Sequence, residues 1–238
     1  LWLVNPDWLT DENYHFEAFK KLTHKAYLDG SNIYHSPYVI AYWGEKHGLT
    51  SIADLYRDGR QGEDPVMTYQ RHYGISQQRF NDEMIDCYQR LVNLDYRHAY
   101  KETRRYACQF ATPMEAAGSG WSPKKEFTPE DYGFNAIRLT GCQSGKKVVA
   151  TVAASDQARR QGGLRYGLVA VTAAGKAVYG KPVAHGCASL KMPAEPLKAV
   201  YLVVMGAPAK HQRLSWDEKR PNRQYPYTVA FNKGVRPE

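Results

Sequence analysis

Histidine and cysteine are the residues whose placement would be most telling here, because imidazole and thiolate bind zinc and carry acid–base or nucleophilic steps. A helical H-E-x-x-H sets two imidazoles on one face with a carboxylate base between them. No histidine in this chain begins that pattern; His15, His24, His35, His47, His72 and His98 are scattered through the front half. His98 and Glu102 stand four apart, the spacing of an ordinary contact on a helix surface. Three of the adjacent carboxylate pairs are Glu63-Asp64, Asp82-Glu83 and Glu130-Asp131. Neighbours on a helix point apart, so such pairs make poor acid/base partners, and two of them sit near expected helix starts, where negative charge suits the dipole. There is no G-x-S-x-G, no P-loop and no G-x-G-x-x-G; Gly162-Gly163 reads as a turn. No cofactor is expected.

Four cysteines are present, Cys87, Cys108, Cys142 and Cys187, none of them in a C-x-x-C pair. An even count fits two disulfides in an oxidising compartment. The within-half pairing, Cys87–Cys108 and Cys142–Cys187, is the expectation. The other two connectivities stay open, and free buried thiols are the alternative.

The elements that would position these residues fall into two textures. Residues 11–28 are expected to be helical, with Phe16, Phe19, Leu22 and Ala26 on one stripe. Ser36-Pro37 opens a second helix running to Gly48. Ser51 caps a short third, Asp64-Pro65 opens a fourth, and Ser76 caps a fifth that buries Phe80, Met84, Cys87 and Leu91. Residues 96–108 are a candidate sixth. The Gly-, Ala- and Ser-rich stretch 111–122 marks the expected boundary between a unit 1–110 and a unit 111–238. Beyond it the period becomes two, over 135–139, 148–152, 164–172 and 176–180. Lys198 to Met205 is the near-continuous apolar run of a central strand, and Tyr225 to Phe231 closes the set. About seven short strands with Gly and Pro turns point to an antiparallel sandwich, and so to an α+β chain.

Charge follows the same division. Lys and Arg number 13 against 15 Asp and Glu over residues 1–110, and 19 against 9 over 111–238. A basic back half suits an acidic glycan, an anionic surface or an acidic protein partner. Nucleic acid is not expected, since no nucleic-acid-binding signature is present. Candidate contacts are Lys124, Lys125, Arg159, Arg160, Arg220 and Arg223, with Trp121 and Trp216 as stacking faces; two core tryptophans on a solvated basic face are the plainer meaning. The 18 tyrosines suit core and strand packing better than a tyrosine-lined site. No stretch approaches the roughly 20 apolar residues of a membrane span. The opening Leu1-Trp2-Leu3-Val4-Asn5-Pro6 has neither a starting Met nor the form of a signal peptide, which is expected of a processed or excised piece.

Several blocks resemble a known group of proteins. They are Tyr34-His35-Ser36-Pro37-Tyr38, Ala41-Tyr42-Trp43-Gly44-Glu45-Lys46-His47-Gly48, Gly62-Glu63-Asp64-Pro65 and Phe80-Asn81-Asp82-Glu83 in front. Tyr132-Gly133-Phe134-Asn135, Arg165-Tyr166-Gly167-Leu168, Val203-Val204-Met205-Gly206 and Tyr225-Pro226-Tyr227 follow behind. Together they resemble an uncharacterised family of secreted bacterial proteins that joins a gluzincin-like, zinc-peptidase-type helical region to a C-terminal β-sandwich. The resemblance implies an extracellular or cell-surface location. It also implies a metal helix ahead of the helices seen here, and a glutamate ligand where this chain has Leu3. Leucine cannot bind zinc. The expectation is therefore a metal-free binding or structural protein on a degenerate zinc-peptidase scaffold. The alternative is a metallopeptidase fragment whose H-E-x-x-H helix lies on a missing N-terminal segment, with Tyr34 or His35 stabilising an oxyanion.

Overall fold

The protein was analysed as a computed structural model, which describes residues 16–31, 37–97, 103–213 and 222–238. Its front half is helical: α1 Phe16–Leu22, α2 Tyr38–His47, α3 Ser51–Asp58, α4 Pro65–Tyr73 and α5 Gln77–Leu91. Local chemistry sets the ends of the last two. Asp64 caps α4 by accepting from the Met67 amide at 2.9 Å, with Pro65 in the first turn. Gly74 closes α4 in the left-handed region, at φ 61°. Ser76 caps α5 by accepting from the Arg79 amide at 3.2 Å.

Helix α1 stops well short of residue 28 for a tertiary reason. The carbonyls of Thr23 and His24 accept from the amides of Phe134 and Glu130, at 2.7 and 2.8 Å. The chain after Leu22 is thus turned against residues 130–134, and those carbonyls are taken from the helix. Of the candidate helix over 96–108, residues 98–102 lie outside the described residues; Thr103 is helical, and a 3-10 turn, Arg104–Tyr106, follows it.

Among the described residues, the back half holds ten strands in two five-stranded sheets: β1 Met114–Ala117, β2 Gly120–Pro123, β3 Phe134–Thr140, β4 Lys147–Ala154, β5 Leu164–Thr172, β6 Ala177–Tyr179, β7 Cys187–Lys191, β8 Leu197–Gly206, β9 Tyr227–Phe231 and β10 Arg236–Pro237. One sheet runs β1-β2-β9-β4-β7 and the other β10-β3-β8-β5-β6, with every strand pair antiparallel. The stretch that composition marked as a boundary is the β1–β2 hairpin, with Ala117 opposite Gly120. A short helix, α6 Asp156–Gln161, links β4 to β5; Ser155 caps it and Gly162, at φ 128°, ends it.

Strand β5 is buried at all nine positions, and β8 at its last eight. Alternation explains how one strand serves two cores. Val169, Val171, Tyr201, Val203 and Met205 join the cluster built around Phe80, Met84, Tyr88 and Leu91 of the helices. Leu168, Ala170, Leu202 and Val204 face the opposite way and join Val148, Ala150, Val152, Ala188 and Val229 of the other sheet. The sheet containing β8 thus contributes side chains to two clusters, one shared with the helices and one shared with strands of the other sheet. The helix α5 makes that contact specific. Gln89 Nε2 donates to the carbonyls of Leu168 and Gly180, at 3.1 and 3.0 Å. It fits only because residue 167 is glycine, where a Cβ would lie 2.5 Å from Gln89 Nε2. Arg165 reaches back from β5 to Asp82 at 2.7 Å and to Gln78 at 2.6 Å.

Candidate functional site

The three adjacent carboxylate pairs do different work from one another, and each pair splits. Glu63 is gripped by Arg71 through Nε at 2.6 Å and Nη2 at 2.7 Å, which pulls its carboxyl down to about 2. Asp64 turns the other way, capping α4 and binding His211. Asp82 pairs with Arg165, while Glu83 is buried among the helices. Glu130 accepts from the Ala26 amide at 2.9 Å and from Lys25 at 3.1 Å. Asp131 is held by Arg223 and by the Tyr225 hydroxyl, the latter at 2.6 Å.

Two polar chains run through the helical layer. In the first, Gln77 Nε2 donates to the Tyr132 hydroxyl oxygen at 3.1 Å, and that oxygen lies 3.1 Å from His211 Nδ1. On its far side His211 Nε2 meets Asp64 Oδ2 at 2.7 Å. With the Tyr132 proton directed at Nδ1 and the Nε2 proton at Asp64, each donor in the chain meets an acceptor. In the second, Tyr69 donates to Glu83 Oε2 at 2.8 Å. With that single proton committed, His47 Nε2, 2.6 Å away, is the donor to the Tyr69 oxygen. Lys46 and Arg79 flank Glu83 at 3.2 and 3.0 Å. Burial lowers the His47 pKa and raises those of the Tyr69 and Tyr132 hydroxyls, so all three rest in neutral forms at pH 7. Protein groups take up both ring nitrogens of His211 and both oxygens of Glu83. These chains act as internal struts that tie α2, α4 and α5 to each other and to the sheet half. Among the described residues, no group of three His, Cys, Asp or Glu side chains is placed to hold a metal ion.

Tyr34, His35, Trp216 and Arg220 lie outside the described residues, as does Leu3. The cysteines overturn the expected disulfides: all four are free. Cys87 is buried with its sulfur 3.7 Å from the Tyr96 hydroxyl, and Cys108 sits 3.7 Å from Asn93 Oδ1. Cys187 lies opposite Thr151, whereas Cys142 precedes the other end of β4, where Lys147 faces Lys191. Four residues of strand span about 13 Å, roughly twice the Cα separation a disulfide tolerates.

The basic and aromatic candidates do not converge. Trp121 is half-buried on β2 and packs on the core between the sheets, opposite Val229. Lys124 and Lys125 are exposed beyond β2. Arg223 is committed to Asp131. Arg159 and Arg160 are in the last turn of α6, and Arg159 lines a cavity.

That cavity, about 310 Å³, opens at the end of the two sheets where β4 leads into α6. Its walls include Val152, Leu164, Tyr166 and Gly163, and Arg159 and His185 stand at its edge. The wall is firmly built. Tyr166 donates from its hydroxyl to the Gly186 carbonyl at 2.8 Å, and its backbone exchanges bonds with Val183 at 3.0 and 2.9 Å. The Gly162-Gly163 pair is more than a turn: a Cβ at 162 would lie 2.1 Å from the Ala209 amide, so glycine lets α6 close against residues 207–209. Arg159 pairs with Asp156 and donates to the Ala154 carbonyl, which fixes the guanidinium beside the opening. Sequence reasoning missed His185 because an isolated histidine in a loop carries no spacing signal.

The chain belongs to a family of unknown function, DUF6055, whose model matches residues 1–237. No curated protein matches it. Among the described residues, no helix is long and apolar enough to cross a membrane.

Proposed function

We propose that this member of the family is a secreted or cell-surface binding protein. In this reading the helical unit, 1–110, is a zinc-peptidase-like scaffold that carries no metal, and the unit 111–238 is a β-sandwich that recognises an acidic glycan. The carrying observation is the 310 Å³ cavity with Arg159 and His185 at its edge. A guanidinium held at an opening pairs well with a carboxylate or sulfate, and the firm wall lowers the ordering cost of binding. The excess of 19 basic over 9 acidic residues beyond position 110 would draw such a ligand in. Support for the scaffold reading is that His47, His211, Asp64 and Glu83 are taken up by struts within the protein.

Titrating the protein with a uronic-acid oligosaccharide and with its uncharged counterpart tests the binding. The acidic sugar should bind, more weakly as salt rises, and Arg159→Gln with His185→Gln should weaken it about tenfold. Equal binding of the uncharged sugar, or no effect of the two substitutions, refutes the proposal. Stoichiometric zinc in protein purified without chelator refutes the metal-free scaffold.

A further inference from the structure

A second opening lies at the far end of β4, between the β3–β4 connection and the β9–β10 connection. It measures about 440 Å³ and is lined by Cys142, Gln143, Lys146, Lys147, Asn232 and Lys233, among others. Three exposed ammonium groups thus surround one cleft, and Lys191, opposite Lys147 in the sheet, adds a fourth beside it. Among the described residues, Lys146, Lys147 and Lys233 form no ion pair, whereas the acidic Glu238 is already held by Arg138 at 2.7 Å. Like charges gathered without counter-charges repel one another, so an arrangement of this kind is relieved by an anionic partner.

The walls are fixed independently of any ligand. Gly141, at φ +78°, presses so closely on the other connection that a Cβ would lie 1.9 Å from the Gly234 carbonyl oxygen. Asn232 locks the two sides together, accepting from the Val149 amide at 2.9 Å and donating to the Lys147 carbonyl at 3.1 Å. The lysines themselves are flexible point charges spread around an open cleft. That suits charges repeated along a chain better than a single oxyanion, which calls for converging donors. We infer that the cleft of Lys146, Lys147 and Lys233 binds a polyanionic glycan, one bearing sulfate or carboxylate groups at successive sugars. The inference shares its ligand class with the proposed function but rests on different residues, at the opposite end of β4 from Arg159.

The two thiols report the two ends separately. Cys142 lines the lysine cleft, while Cys187 adjoins Gly186 of the Arg159 cavity. The test is a titration of the whole chain with a sulfated dextran oligomer, with uncharged dextran and inorganic sulfate as controls, read by binding and by the alkylation rate of each thiol. The oligomer should bind, lose affinity as salt rises and slow the alkylation of Cys142 but not of Cys187. Lys146→Gln, Lys147→Gln and Lys233→Gln together should weaken it by at least about tenfold, at roughly fivefold for each lysine near a polyanion. Removing the same charge elsewhere, with Lys124→Gln, Lys125→Gln and Lys181→Gln, should cost far less. Equal loss in the two triple variants, no binding, or saturation by inorganic sulfate at comparable concentration overturns the inference. Protection of Cys187 alone would overturn it while leaving the Arg159 site standing; failure of the uronic-acid titration with protection of Cys142 intact would overturn the Arg159 site and leave the lysine cleft standing.

Discussion

Asp64 and His211 are 147 residues apart and meet at 2.7 Å. One carboxylate therefore does two jobs: Oδ1 caps α4 and Oδ2 anchors the segment that follows β8. Asp64→Ala should lose both, at about 2 kcal/mol, the sum of a cap and a buried hydrogen bond. Asp64→Asn keeps a capping oxygen but turns an amide toward the His211 Nε2 proton, and should cost about 1 kcal/mol. Urea unfolding at pH 7 measures both. An Asn variant as stable as the wild type would show that the His211 contact contributes nothing.

Gly133 is pressed against residues 24 and 25, where a Cβ would lie 2.1 Å from the His24 carbonyl oxygen. Backbone cannot move aside as a side chain can. Gly133→Ala should destabilise by about 3 kcal/mol, or push the chain after α1 off the sheet. Thermal melting, with hydrogen exchange at the amides of Glu130 and Phe134, separates these outcomes.

Glu83 is the acceptor on which Tyr69, Lys46 and Arg79 converge. Removing it strands the buried Tyr69 hydroxyl and leaves Lys46 and Arg79 without their shared acceptor, so Glu83→Ala should cost about 3 kcal/mol. Tyr69→Phe removes two hydrogen bonds, the one to Glu83 and the one from His47, and should cost about 2 kcal/mol. If the tyrosine substitution is the more damaging in urea unfolding, the strut depends on the His47 contact with the hydroxyl more than on the carboxylate.

Acid should act through Glu63. Arg71 lowers its carboxyl from an ordinary 4.5 to about 2 in the folded protein. Because the folded value is the lower, this stabilisation is complete above 4.5 and is lost as pH falls toward 2. The difference in melting temperature between wild type and Arg71→Gln should shrink across that window. A difference that is constant from pH 6 to pH 2 would be inconsistent with the pairing.

Thiol accessibility checks the free cysteines. In native protein Cys187 should react first and Cys142 slowly, its thiol pushed up to about 11 by burial. Cys87 and Cys108 should react only on unfolding. Fewer than four titratable thiols in denaturant without reductant would restore a disulfide.

Helices were legible where a cap and a stripe coincide. Asp64-Pro65 and Ser76 announce α4 and α5 because the cap chemistry is local to a few residues. The run from Lys198 to Met205 announces a strand covered on both faces, since no solvent-facing alternation interrupts it. The β1–β2 hairpin lies in the stretch that composition marks as a boundary; its Gly and Ser residues carry no pairing signal until the partner strand is known. Strand β7 was missed for a related reason: Cys187 to Lys191 gains its meaning from β4 opposite.

The candidate site divides along the same line. That the back half is basic, that the chain lacks a complete zinc motif, and that Arg159 is a cation worth following are all decided by residue type and order. Tertiary structure alone decided that Arg159 lines a cavity while Arg223 is consumed by Asp131. It alone kept Cys142 and Cys187 apart along β4, and brought Lys233 to Lys146 and Lys147. These outcomes depend on strand order and register, where neighbours in space are up to 193 residues apart, as Asp29 and Asn222 are. Periodicity tells which face of a strand is buried, but not which strand lies beside it.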